Sequence, residues 1–219
     1  MARSRAHEHL PKLAPMLDDT LVPRERMPSR AWATPEEWQA AVPGASASCL
    51  MPPKERSIVR QRRRSNVSRT AGQQPHPLQN TVMALPDTCI LCLGRPCSGP
   101  HHASRMVQQE LPPELEWFAA LHVRVDLGYL GMKAEYHGEQ LAIPTRKPRR
   151  SQQHPHPQWS EEQKAANTAL RRVRIFIEQA IGGMTRSNIL VHTLRNRIEH
   201  FEDDVIGIWA GLWNLVLSY

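Results

Sequence analysis

Apolar positions along this 219-residue chain change rhythm near residue 80, and the change separates two kinds of sequence. Before that point, apolar residues recur at helical spacing in only two places. One is "HEHLPKLAPMLDDTL"; the other is "TPEEWQAAV", with Thr34 as cap, Pro35 at the first helical position and acids in the first turn. Residues 51–80 show little periodicity beyond a short strand at Ser57–Arg60, so most of that stretch is expected as loop. The pattern predicts a poorly ordered, remnant helical N-terminal segment over 1–50 and a folded domain over 51–219.

Beyond residue 80 the pattern sharpens. "NTVMAL" and "TCILCLG" read as two strands of a hairpin turning at Pro86–Thr88. "PPELEWFAAL" reads as a short helix opened by prolines, and "HVRVD" as a strand that shows Val123 and Val125 on one face and ends at Asp126. A Pro- and base-rich loop follows, "IPTRKPRRSQQHPHPQ". Ser160 with Gln163 makes a capping box, and a long helix runs from it to about Arg186. On that helix Ala166, Ala169, Val173, Ile177, Ala180 and Met184 form the stripe expected to be buried. Lys164, Asn167, Arg171, Arg174 and Glu178 form a second, polar stripe. The chain closes with an apolar helix from about Asp203. Its "VIGIWAGLWNLVLSY" contains Asn214 and falls short of the roughly 20 residues a membrane span needs, so it is expected as a core helix. The order strand, strand, strand, helix, strand, helix-rich end predicts an α/β layer, a mixed sheet flanked by helices.

Composition changes this picture in two ways. Lys and Arg number 28 against 21 acids, a net charge of +7, which suits a polyanionic partner but suits an unpartnered basic surface equally well. Four clustered cysteines do not make a secreted disulfide framework, and "MARSRAHEHLPKL" has no apolar signal core. A soluble, cytoplasmic protein without membrane contact is expected. Cys89, Cys92, Cys97, His101 and His102 could supply zinc ligands in a small interaction protein. Strand alternation turns Cys89 and Cys92 to opposite faces, however, and favours core cysteines over a zinc knuckle.

Two acids carry the more specific chemistry. Glu178 alone is explained by an ordinary ion pair with Arg174 one helical turn away, which contributes a few tenths of a kcal/mol. Asp126 adds a carboxylate at a strand's end. A strand-end carboxylate beside a helix acid among arginines is how a fold offers oxygen ligands to Mg²⁺ near a phosphate backbone. Paired ions in such a centre activate water and stabilise the leaving oxygen.

Several segments in order, "VDLGYLG", "IPTRKPRRS", "WSEEQKAANTALRRVRIFIEQAIGGMTRSNIL" and "FEDDVIGIWAGLWNLVLS", resemble the second half of bacterial insertion-sequence transposases of the DDE superfamily endonuclease group. "HPLQNTVMALPDTCILCLGRPCSGPHHASRM" is similar to strands that precede them in that family. The resemblance covers residues 50–219, with a fainter match over 5–50. It implies a ribonuclease H-like fold, with Asp126 and Glu178 as second and third catalytic acids holding Mg²⁺ or Mn²⁺. It also implies DNA as partner, both transposon ends and target, and assembly with itself or a full-length relative. Arg146, Lys147, Arg149, Arg150, Lys164, Arg171 and Arg174 are then the expected phosphate contacts.

The chain departs from that family where its first catalytic aspartate belongs, because "PPKERSIVR" puts Pro52 there. Glu55, three residues on, is expected to face away. Ala103, Gln179 and Thr185 replace a family aspartate, histidine and lysine, and the N-terminal helix-turn-helix is missing. The expectation is a truncated, degenerate copy: a nuclease centre short of one ligand, or a non-catalytic DNA-binding fragment.

Overall fold

Val82 and Ala84 face one way and Met83 the other, all three buried, so the strand that holds them needs cover on both faces. The computed structural model provides that cover. It describes residues 2–22, 25–41, 48–51, 59–61, 77–98, 103–118, 122–136, 141–150, 157–186, 190, 193–194 and 200–218. The chain is mixed α/β.

The helices among the described residues are α1 (Ala2–Leu21), α2 (Pro35–Ala41), α3 (Ala103–Glu110), α4 (Met132–Glu135), α5 (Glu161–Thr185) and α6 (Phe201–Val216). The larger sheet holds β1 (Ser48–Met51), β4 (Val82–Ala84), β5 (Ile90–Leu93), β7 (Val123–Val125) and β8 (Leu141–Ala142) in the order β5-β4-β1-β7-β8. β5 and β4 pair antiparallel, as do β4 and β1, whereas β1 with β7 and β7 with β8 are parallel. A smaller sheet runs β6-β3-β2-β9, from Cys97–Ser98, Pro77–Gln79, Val59–Gln61 and Thr193–Leu194. The hairpin expected at Pro86–Thr88 joins β4 to β5. Thr88 takes a left-handed φ of 71° and donates its N–H to the Leu85 carbonyl at 2.9 Å. The expected boundary at residue 50 falls inside β1.

One face of the sheet buries Val82, Ala84, Ile90 and Leu93 against Ile177, Ala180 and Met184 of α5 and Phe201, Val205, Ile206 and Ala210 of α6. Gly183 lets these two helices approach, since a methyl group there would overlap the Trp213 ring. On the other face Met83, Cys92, Val123 and Val125 meet Trp38, Val107, Leu111, Trp117, Phe118, Tyr129 and Tyr136.

Two expectations about helices need correction. "PPELEWFAAL" is not helical through Phe118. The Leu115 N–H and the Trp117 indole both donate to the Pro112 carbonyl, at 3.2 and 2.9 Å, closing a tight turn on the group that a helix would pair with Glu116 N–H. The helix comes earlier instead, as α3, which the apolar pattern of "ASRMVQQE" shows too briefly to reveal. The stripe read by spacing on α5 holds in its second half, where Ile177, Ala180 and Met184 are buried and Val173 half-buried, and fails in its first, where Ala166 and Ala169 are exposed and Gln163, Asn167, Leu170 and Arg174 are half-buried instead.

β5 is an edge strand, and an unpaired edge is a template for unwanted pairing. Here it is closed from two distant parts of the chain. Ser29 donates its N–H to the Leu91 carbonyl and accepts from Leu93 N–H, both at 2.9 Å. Asn214, in the apolar part of α6 beyond its acidic first turn, accepts Ile90 N–H and donates to the Ile90 carbonyl, each at 2.8 Å. It also donates to the Arg26 carbonyl at 3.0 Å. The side-chain amide replaces a missing strand partner. No helix among the described residues is long and apolar enough to cross a membrane.

Asn214→Leu leaves a buried N–H and two carbonyls without partners, each costing about 1–3 kcal/mol. Urea unfolding is expected to show a loss of about 3 kcal/mol. A change below about 0.5 kcal/mol, the size of an ordinary surface substitution, would show the edge to be closed by other means.

Candidate functional site

β7 delivers Asp126 to its position. Val123 and Val125 are buried against the second core, so the strand cannot rotate, and the next residue leaves the sheet with its backbone still extended. Asp126 Oδ1 accepts the Leu127 N–H at 2.8 Å and caps a 3₁₀ turn over Leu127–Tyr129. Turn capping alone does not account for a carboxylate that is only 7% exposed. The same oxygen forms an ion pair with Arg174 Nη1 at 3.0 Å.

Arg174 comes from α5, which begins at the Ser160 capping box. Gln163 N–H reaches Ser160 Oγ at 3.2 Å, and Ser160 N–H reaches Gln163 Oε1 at 3.1 Å. The guanidinium's other terminal nitrogen, Nη2, meets Glu178 Oε1 at 3.3 Å. Asp126 and Glu178 are thus brought together, as the two-acid reading requires, and one guanidinium stands between them. Pro52 and Glu55 lie outside the described residues; β1 stops at Met51.

The basic residues divide by position. Arg146, Lys147, Arg149 and Arg150 are exposed on the loop after β8. Asn167 holds that loop against α5: its Oδ1 accepts Thr145 N–H at 2.8 Å and its Nδ2 donates to the Thr145 carbonyl at 3.1 Å. Lys147 and Arg150, with Pro148, Pro157 and Gln158, line a shallow hollow of about 340 Å³. Arg171 is exposed on α5, and Lys164 pairs with Glu161 at 2.7 Å in the helix's first turn. Arg174 alone of the seven turns inward, its two terminal nitrogens engaged by the acids.

A Mg²⁺ ion needs a near-octahedral oxygen shell at about 2.1 Å. Asp126 Oδ1 already accepts the Leu127 N–H and is paired with Arg174, Glu178 Oε1 accepts from the same guanidinium, and its fixed positive charge bridges the two acids. Among the described residues, no group of three or more His, Cys, Asp or Glu side chains could hold a metal. As arranged, these residues do not fit a divalent ion. Of the candidate zinc ligands, Cys92 is buried in the second core with its thiol held protonated by desolvation, and Cys89 and Cys97 are half-buried and apart from it. His101 and His102 lie outside the described residues.

A second polar cluster escaped the sequence reading. Glu110, at the end of α3, lies against Gly94, whose missing side chain makes room for the carboxyl. Burial pushes its pKa from 4.5 up to about 7, opposed by hydrogen bonds from the Thr81 side chain and Arg95 N–H and by the charges of Arg30 and Arg95. It borders a cavity of about 180 Å³ with Arg30, Trp32, Met83, Cys92 and Arg95. "QQELPPE" offers no pattern that marks Glu110 out, because the residues that bury it are distant in sequence.

Comparison with protein-family models, curated proteins and solved structures finds no match to this chain.

Because folded Glu110 keeps its proton to about pH 7 and the unfolded chain releases it near 4.5, stability is expected to fall as pH rises between those values. Unfolding free energies at about pH 5 and pH 8 should differ by on the order of 2–3 kcal/mol from this group. Glu110→Gln should flatten that slope; an unchanged slope would assign it elsewhere.

Proposed function

We propose that this chain is a DNA-binding protein of the DDE transposase type, on a ribonuclease H-like α/β domain, whose strand-cleaving centre is disabled. The observation that carries this reading is that Asp126, at the end of a central parallel strand, and Glu178, on α5, share one guanidinium, that of Arg174. An ordinary helix ion pair between Arg174 and Glu178 would not need a buried strand-end carboxylate as third member. The mixed sheet, with its antiparallel strands on one side of β1 and its parallel strands on the other, supports the same reading.

DNA is the partner that suits the rest of the surface. The loop bases and Arg171 lie on segments that Asn167 ties together, so phosphates along one backbone can meet them in succession. Arg174 is spent on the acids and is not counted among the phosphate contacts. Cleavage needs ligands that bridge metal ions. With Pro52 in place of the family's first aspartate and a guanidinium between the remaining acids, DNA is bound and not cut.

Fluorescence anisotropy with duplex DNA should give log Kd rising with log salt at a slope of about 4–5, about 0.9 for each of the four loop bases and Arg171. Charge reversal of Arg150 should lower the slope by about 1, as loss of a phosphate contact does. Binding that is flat between low and moderate salt would remove DNA as the partner.

A nicking assay on supercoiled DNA with Mn²⁺ is expected to show no cleavage, and Pro52→Asp should not restore it. Nicking that disappears in both Asp126→Ala and Glu178→Gln would show the centre to be active after all.

A further inference from the structure

The same three side chains can be taken further on geometry alone, whether or not the chain binds DNA. An arginine keeps its charge at any ordinary pH and presents two nitrogens in a rigid fork. Here Nη1 is 3.0 Å from Asp126 Oδ1 and Nη2 is 3.3 Å from Glu178 Oε1, so the fork spans two carboxylates instead of gripping one. Its Nε is buried. The side chain is therefore seated between α5 and the end of β7, on the inward line of the helix. Asp126 Oδ1 also accepts the Leu127 N–H, so the oxygen paired with Arg174 carries a hydrogen bond besides the ion pair.

A divalent ion entering between the acids would meet a fixed positive charge within a few ångströms, and it would find the nearer oxygen of each carboxylate already engaged. Mg²⁺ also gives up its water reluctantly. Arg174 satisfies the same two negative charges without any dehydration of a metal and without leaving the fold.

We propose that Arg174 is the resident cation of this site. Its guanidinium holds the place between Asp126 and Glu178 that a divalent metal ion would need, so the wild-type chain leaves Mg²⁺ and Mn²⁺ unbound there. Loss of Arg174 opens a divalent-cation site made of Asp126 and Glu178.

Electron paramagnetic resonance of added Mn²⁺ reads this directly, because the free aqueous ion gives a sharp spectrum that is lost on binding. At millimolar Mn²⁺ the wild-type protein should leave the free-ion signal intact. Arg174→Gln should remove signal for one ion per chain under the same conditions. That uptake should vanish in the double variant Arg174→Gln with Asp126→Asn. Wild-type uptake that Asp126→Asn abolishes would overturn the proposal, as would a folded Arg174→Gln that takes up none. If Arg174→Gln is unfolded, it is refolded with and without Mn²⁺. Recovery only with the ion supports the proposal, and recovery with neither overturns it. These outcomes are independent of DNA affinity, so loss of the nucleic-acid reading would leave them standing.

Discussion

A carboxylate taken almost wholly out of water at the end of a sheet strand has to be neutralised where it stands, and Arg174 does this for Asp126. Much of the architecture around the site follows from that requirement. For the guanidinium to reach Asp126, α5 must turn Arg174 toward the sheet. The same rotation puts Ile177, Ala180 and Met184 into the core and Asn167 against Thr145. Glu178, one turn beyond, is carried to the same guanidinium. The exposed half of this arrangement contributes little, since an i,i+4 surface pair is worth about 0.3–0.5 kcal/mol. The buried half is different: removing one partner of a buried pair costs about 3–5 kcal/mol, because the other charge is stranded.

That single rotation is also where reading the sequence stopped short. Alternation placed β7 and its terminal acid, the turn residues placed the β4–β5 hairpin, and Ser160 with Gln163 placed the start of α5, because each signal lies within a few residues. The spacing of apolar residues on α5 pointed to Ala166 and Ala169 as inward. Small side chains gain little from burial, however, and in the helix's first half the half-buried positions go to Gln163, Asn167 and Leu170 while Ala166 and Ala169 are exposed. Arg174 and Asn167 therefore occupy inward positions that a hydrophobicity pattern assigns to the outside. Ser29 and Glu110 were illegible for a related reason. Their roles depend on partners more than ten residues away, and nothing in their immediate neighbours distinguishes them.

The functional picture combines a surface suited to phosphates with a centre closed to metals. These properties reside on neighbouring stretches of one helix, Arg171 facing solvent and Arg174 facing the acids. On the proposed reading the two demands differ, since phosphate contacts need only exposed bases and tolerate imprecise placement. Metal coordination tolerates neither a missing oxygen nor an added cation.

The closing of β5 by Asn214 has a bearing on how the chain is made. α6 follows every other described element, so during synthesis the hairpin and central strands exist before the side chain that completes their edge. Until α6 leaves the ribosome, Ile90 presents an open N–H and carbonyl to any passing strand. Between the synthesis of β5 and that of α6 this part of the edge is open to mispairing, a hazard that slow, long-range closure makes worse. Crowded polysomes, more than the finished molecule, are where this fold is vulnerable.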